Sequence, residues 1–143
     1  MSAPLQAAFK AVDPIVFGIN WFRPLGAPAA IAAKRWAAGM AMPYRWVSVA
    51  SHPRVGYLSF PTIRVHTLAA TYTEAAREAA RTDERAQVLV DHPGWGTTMP
   101  DGAIVSPIFA EIIESAHEEP YAAETVATRL VSEYRFGFKL VAA

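Results

Sequence analysis

The residues of this chain that could do chemistry are four histidines, one adjacent Asp-His pair and two short charged runs. Asp91 beside His92 could orient an imidazole as a general base in a small α+β enzyme. A histidine at a helix C-terminus, favoured by the helix dipole, accounts for the same pair. His117-Glu118-Glu119-Pro120-Tyr121 begins like a zinc-binding helix. Tyr121 stands where the second histidine belongs and Pro120 breaks helical geometry, so a polar turn is expected there and no metal site. His52 and His66 stand alone and read as structural or exposed. There is no phosphate-cradling Gly-rich loop, Gly-x-Ser-x-Gly elbow, His-x-His or His-Glu-x-x-His. The chain has no cysteine, which removes disulfides, thiolate chemistry and cysteine-ligated zinc or iron–sulfur sites. A protein without catalytic residues, cofactor or metal is expected.

The charged runs point toward binding. Lys34, Arg35 and Trp36, with Arg45 and Trp46 further on, interleave cations and rings in a way that suits phosphates and stacked bases. Stand-alone nucleic-acid binders are usually basic throughout, and the second half of this chain is acidic, which argues against direct tight binding. Trp and Arg dominate protein–protein hot spots, so the cluster reads better as a protein anchor. The alternative is that Trp46 is core and Trp36 is covered by the long loop around it. The densest acidic patch is Glu118-Glu119. Candidate interface residues are therefore Lys34, Arg35, Trp36, Glu118 and Glu119.

The charges are sorted by position. Residues 1–70 hold seven Lys/Arg (Lys10, Arg23, Lys34, Arg35, Arg45, Arg54, Arg64) against Asp13 alone, a balance of +6. Residues 71–143 hold six basic groups and twelve acids, a balance of −6, so the net charge of zero conceals a bipolar chain. If the halves present different surfaces, the basic side of one copy meets the acidic side of the next, a heterologous contact that builds rings or filaments. The alternative is that the acids find their partners inside the same fold. Charged residues make up 18% of the chain, against about 25% in an average soluble domain. That scarcity favours a surface hidden in an assembly. The 52% hydrophobic content is inflated by alanine. At 143 residues the chain reads as one domain with a real core. Met1-Ser2-Ala3-Pro4-Leu5-Gln6 has no basic region followed by an apolar block, and no apolar run approaches the ~20 residues of a membrane helix, so a soluble cytosolic product with no membrane partner is expected.

Asp13-Pro14 is a helix start, with Asp as N-cap and Pro at the first position, and Ile15, Val16, Ile19 and Phe22 recur at helical spacing. The spacing predicts a helix over residues 13–23, ended by Pro24 and Gly26. Residues 26–43 form a long Ala/Pro-rich loop, and long loops tend to be functional or disordered. Tyr44 to Val49 reads as a strand, His52-Pro53-Arg54-Val55-Gly56 as a turn, and residues 58–68 as a second strand that Pro61 marks as edge or bulge. Thr71-Tyr72-Thr73-Glu74 fits a capping box opening a helix over residues 72–91. Its expected inner stripe is Tyr72, Ala75, Ala76, Ala79, Ala86, Leu89 and Val90, with Glu74/Arg77 and Glu78/Arg81 paired outside. Residues 104–116 fit either a helix opened by Ser106-Pro107 or a strand, and their β-branched content favours the strand. Glu133 to Leu140 alternates apolar with charged or Gly, which only a strand with one buried face does. The order α-β-β-α-β-β describes an α+β fold, an antiparallel sheet of about four strands packed with two main helices.

Three segments together resemble the tail terminator, or tail completion, proteins of long-tailed (siphovirus-type) phages, especially those infecting actinobacteria. They are Ile19-Asn20-Trp21-Phe22-Arg23-Pro24-Leu25-Gly26, then Ile63-Arg64-Val65-His66-Thr67-Leu68 running into the capped helix, and residues 117–126 preceding Val131-Ser132-Glu133-Tyr134-Arg135-Phe136. The resemblance covers most of residues 11–141. It implies a subunit of a hexameric ring at the head-proximal end of the tail tube, where it stops tube polymerisation and presents a surface to head-completion (neck) proteins. Its implied partners are further copies of itself, the tail tube protein and the head-completion protein, with genomic DNA passing through the lumen without sequence-specific binding. Its implied place is the tail–neck region of the virion, after assembly in the host cytoplasm. The family has no catalytic residues to carry over. Another neck-ring component, such as a head–tail stopper, or a cellular oligomeric binding domain fits the same features.

Overall fold

Asp13 begins the first helix as its sequence requires: Oδ1 accepts from the amides of Ile15 (3.0 Å) and Val16 (3.2 Å), with Pro14 at the first helical position. The computed structural model describes residues 9–25, 30–37, 39–120 and 127–142. Parts of the expected 26–43 loop and of the 117–126 segment lie outside the described residues. Helix α1 (Pro14–Phe22) ends in a 3-10 turn, Arg23–Leu25. Helix α2 (Tyr72–Asp91) is capped by Thr71, whose Oγ1 accepts from the Glu74 amide.

The main sheet is built on one long hairpin. Strands β3 (Tyr44–Ser51) and β4 (Arg54–Val55) run out, and β5 (Leu58–Ser59) and β6 (Thr62–Ala69) return after the turn at Gly56, which has φ +58°. Strand β10 (Thr128–Lys139) pairs antiparallel with β6 and β5 on one side and with β9 (Phe109–Glu118) on the other. A short strand, β2 (Ala30–Ala32), pairs parallel with Tyr44–Trp46 of β3. Four two-residue strands lie apart in two pairs: β1 (Phe9–Lys10) with β11 (Val141–Ala142), and β7 (Thr97–Thr98) with β8 (Ile104–Val105).

The fold is α+β, as expected, but the main sheet has seven strands rather than about four. Each long hairpin strand breaks once, at His52-Pro53 and at Phe60-Pro61, where proline supplies no ladder donor. Pro61 marks an interior kink rather than a sheet edge, and its carbonyl accepts from the Phe136 amide at 3.0 Å. The seventh strand is β2, which lies within residues read as loop; alanines on both sides hide a period of two. Residues 104–116 resolve in favour of the strand, divided between β8 and β9.

Both helices pack on one face of the sheet. Phe17 of α1 meets Phe136 and Phe138 edge-on, with ring centroids 5.3 and 4.8 Å apart, beside Trp21, Val47, Ile63, Val65 and Tyr134. A Cβ at Gly18 would lie 3.2 Å from both Ile63 and Val47, so glycine lets α1 settle closely on the strands. The alternation of β10 is as expected, with Phe136 and Phe138 buried and Arg135 and Lys139 exposed. Gly137 has a different reason: a Cβ there would come within 2.4 Å of the Phe109 ring. On α2, Ala75, Ala79, Ala86 and Leu89 face inward as expected. Tyr72, in the first turn, is exposed, and Glu78 is buried rather than outside. On the opposite face, Trp36, Tyr44, Trp46 and Leu68 form a second cluster, covered by Met40 and Met42 of the connection.

Candidate interaction surface

Strand alternation places Ser48, Arg64, His66, Arg129, Glu133 and Arg135 on the face away from the helices. Arg64, near the start of β6, pairs with Glu119 and with Glu133 (3.2 Å). Glu119 also lies 2.7 Å from His117 Nε2 and 3.6 Å from Arg129 Nη2. Arg135 pairs with Glu111 across the β9–β10 register. For Glu119, partial burial acts upward, but Arg64 and His117 hold its carboxyl below the ordinary range. For His117, burial acts downward and is outweighed by the Ser115 carbonyl and by Glu119 and Glu114, so its pKa is raised. His66 behaves oppositely. It is 4% exposed and stacks on Trp46 at 4.5 Å with the rings nearly parallel, and its Nε2 lies 2.8 Å from Ser48 Oγ. Burial, then Arg129 and Arg64, push its pKa down to about 4. It is a neutral, structural histidine.

The expected interface residues fall into three groups. Lys34 and Arg35 are exposed just beyond β2, and the Lys34 carbonyl accepts from the Tyr44 hydroxyl at 2.7 Å. Trp36 is not an exposed anchor: it is 5% exposed, and its indole donates to the Met40 carbonyl at 3.1 Å. Glu118 is exposed at the end of β9, whereas Glu119 is taken up by Arg64, His117 and Arg129. Lys34 and Glu118 lie at opposite edges of the sheet, β2–β3 against β9, so one subunit does not bring them together. Asp91 accepts from Gln87 at 2.9 Å, and the exposed His92 ring stacks on Trp95 at 4.1 Å. The two side chains serve different neighbours, and His92 occupies the helix C-cap, its amide donating to the Val88 carbonyl at 3.0 Å.

The sequence reading missed the most buried charges. Arg45, 0% exposed, projects from β3 toward α2 and donates to Glu78 Oε1 (2.9 Å), the Glu78 carbonyl (2.7 Å) and Thr82 Oγ1 (2.9 Å). Arg81 also bonds Glu78 (2.9 Å) and reaches the Leu25 carbonyl (2.7 Å), tying α2 to the end of α1. Burial lowers the Arg45 pKa, and Glu78 opposes it. The available signal was Glu78 and Thr82 at i,i+4, interrupting the alanine stripe of α2. Arg45–Glu78, Arg64–Glu119 and Arg64–Glu133 all join the basic half of the chain to the acidic half. Part of the charge partition is therefore satisfied inside the fold. Lys10, Arg23, Lys34, Arg35 and Arg54 remain exposed on one side of that partition, and Glu84, Asp91, Asp101, Glu114 and Glu118 on the other.

Among the described residues, no group of three His, Asp or Glu side chains could hold a metal ion. No helix among them is long and apolar enough to cross a membrane. A groove of about 680 Å³ lies beside the start of α1, lined by Val12, Val16, Met99, Val105 and Val141 with Lys10 and Asp101. Large apolar side chains also stand in solvent: Ile104 is 78% exposed, Val55 65%, Trp95 53% and Tyr57 52%. No protein-family model and no curated protein sequence matches the chain.

Proposed function

We propose that this protein is a structural virion subunit of the tail-terminator type. It forms a homohexameric ring on the head-proximal end of a phage tail tube. There it halts tube growth and offers its other surface to the neck, with genomic DNA passing through the lumen. The observation that carries the reading is the position of the three resembling segments. They supply the end of α1, the β6–α2 junction and the centre of β10, and these pack together as the core of the sheet. Exposed Val55 and Tyr57, side by side at the Gly56 turn, support it further as apolar area that an assembly would cover.

The test is to add the purified protein to polymerising tail tubes and follow length and end structure by electron microscopy. Tubes that stop growing and carry a ring at one end are the expected result. Unchanged tube lengths with bare ends would reject the terminator role. A ring that binds the neck without arresting the tube would transfer the protein to the stopper class.

A further inference from the structure

The two edges of the main sheet are open at one height and closed at another. On the β3 edge, β2 pairs only with Tyr44–Trp46, and no described strand flanks Val49–Ser51. On the opposite edge, no described strand flanks the outer side of β9. The β9 ladder is irregular between His117 and Ile112, and Asp83 accepts from the Ala116 amide at 3.0 Å. Bulges and a side-chain cap of this kind blunt an edge against pairing. Phe109–Ile112 is regular and uncapped.

These open stretches lie level with each other. One row across the sheet is Val49, Ile63, Tyr134, Ile112, and the next is Ser51, Thr62, Arg135, Glu111. The closed stretches are level too: Trp46, which pairs with β2, shares a row with His66, Val131 and His117. Each of the three intervening pairings is antiparallel, so β9 runs opposite to β3. A copy rotated about an axis parallel to the strands would therefore bring its β3 edge beside β9 in the antiparallel sense and at the same height.

We propose that copies of this chain join head to tail by pairing Phe109–Ile112 of one sheet with Val49–Ser51 of the next, making the sheet continuous around a ring. This rests on the ring reading above and names its contact. Val49, an apolar side chain 37% exposed, then continues the row of Ile63, Tyr134 and Ile112 into the next copy. Charge favours the same arrangement. Lys34 and Arg54 are exposed near the β3 edge, and Glu114 and Glu118 on β9. A two-fold β9–β9 contact would instead set Glu111, Glu114 and Glu118 against their own copies, and like charges facing one another oppose pairing.

The chain has no cysteine, so introduced thiols report this contact without background. Ser51→Cys with Glu111→Cys in one chain should give, on oxidation, a reductant-sensitive ladder of covalent oligomers. Either variant alone should give none. Val49→Lys, at an exposed site, should lower the ring population at least tenfold while monomer unfolding stays unchanged. Self-linked dimers from a single variant would overturn the head-to-tail contact, and Ser51→Cys linking to tail tube protein instead would overturn the choice of occupant. Rings seen by light scattering without a ladder would overturn the edge pairing and leave the proposed function standing. Monomer alone, with and without tail tubes, would remove both.

Discussion

On the helix-covered face of the sheet, Arg45 is enclosed with Glu78 and Thr82; on the open face, Arg64 and Arg135 hold their acids in contact with water. The side chains of the first pair are 1% and 4% exposed, and those of Arg135 and Glu111 are 45% and 42%. The chemistry is the same, guanidinium on carboxylate, but the surroundings differ. A buried pair whose acid is removed leaves a charge with little solvation, whereas an exposed pair exchanges its partner for water. The covered face therefore uses charge to fix how α2 sits on the strands. The open face uses it to set register and to shape a surface.

The largest effect should come from Glu78→Ala, which strands Arg45 and should reduce unfolding free energy by about 3–5 kcal/mol. Denaturant titration of the monomer measures it, and a loss no larger than that of Arg135→Ala would erase the distinction between the faces. Phe136→Ala tests the apolar part of the covered face by emptying space beside Phe17, and should cost about 3–5 kcal/mol. A small loss would mean that the aromatic cluster relaxes around the hole.

The open face also buries His66, beside Trp46, and pH addresses it. Its pKa falls from 6.5 to about 4 in the folded protein, so the unfolded chain takes up the proton first. The contribution is fully present above pH 6.5 and is lost as pH falls through about 4, amounting to about 3 kcal/mol at ~1.4 kcal/mol per unit. Comparing unfolding free energies of the wild-type protein and His66→Gln across that interval isolates it; parallel curves would show that His66 becomes charged without penalty. The smallest effect belongs to Arg135→Ala, within about 1 kcal/mol in the monomer, as for exposed pairs generally. A monomer loss above that bound would place Arg135 in a tighter network than its exposure indicates.

Much of the frame was legible because local physics dictates it. Asp13-Pro14 and Thr71 start helices wherever they are followed by suitable residues, and the alternation of residues 133–140 admits only a strand. Trp36 shows the limit. A tryptophan among cations reads equally as an anchor or as a covered core residue, and only the fold of the connection, with Met40 above the second cluster, decides between them. Glu119 shows it again, since its partner Arg64 lies 55 residues away in the chain, on β6.

By itself, the sequence determined the helix starts, the faces of β10, the absence of cysteine and the separation of charge along the chain. These depend on residue type and short spacing. Only the tertiary structure decided that Arg45 would be buried against Glu78, that a loop residue triplet would become β2, and that the open stretches of the two sheet edges would stand level. Each of those depends on which strands lie side by side, and strand neighbours are set by packing over the whole sheet rather than by the residues next to them in the chain.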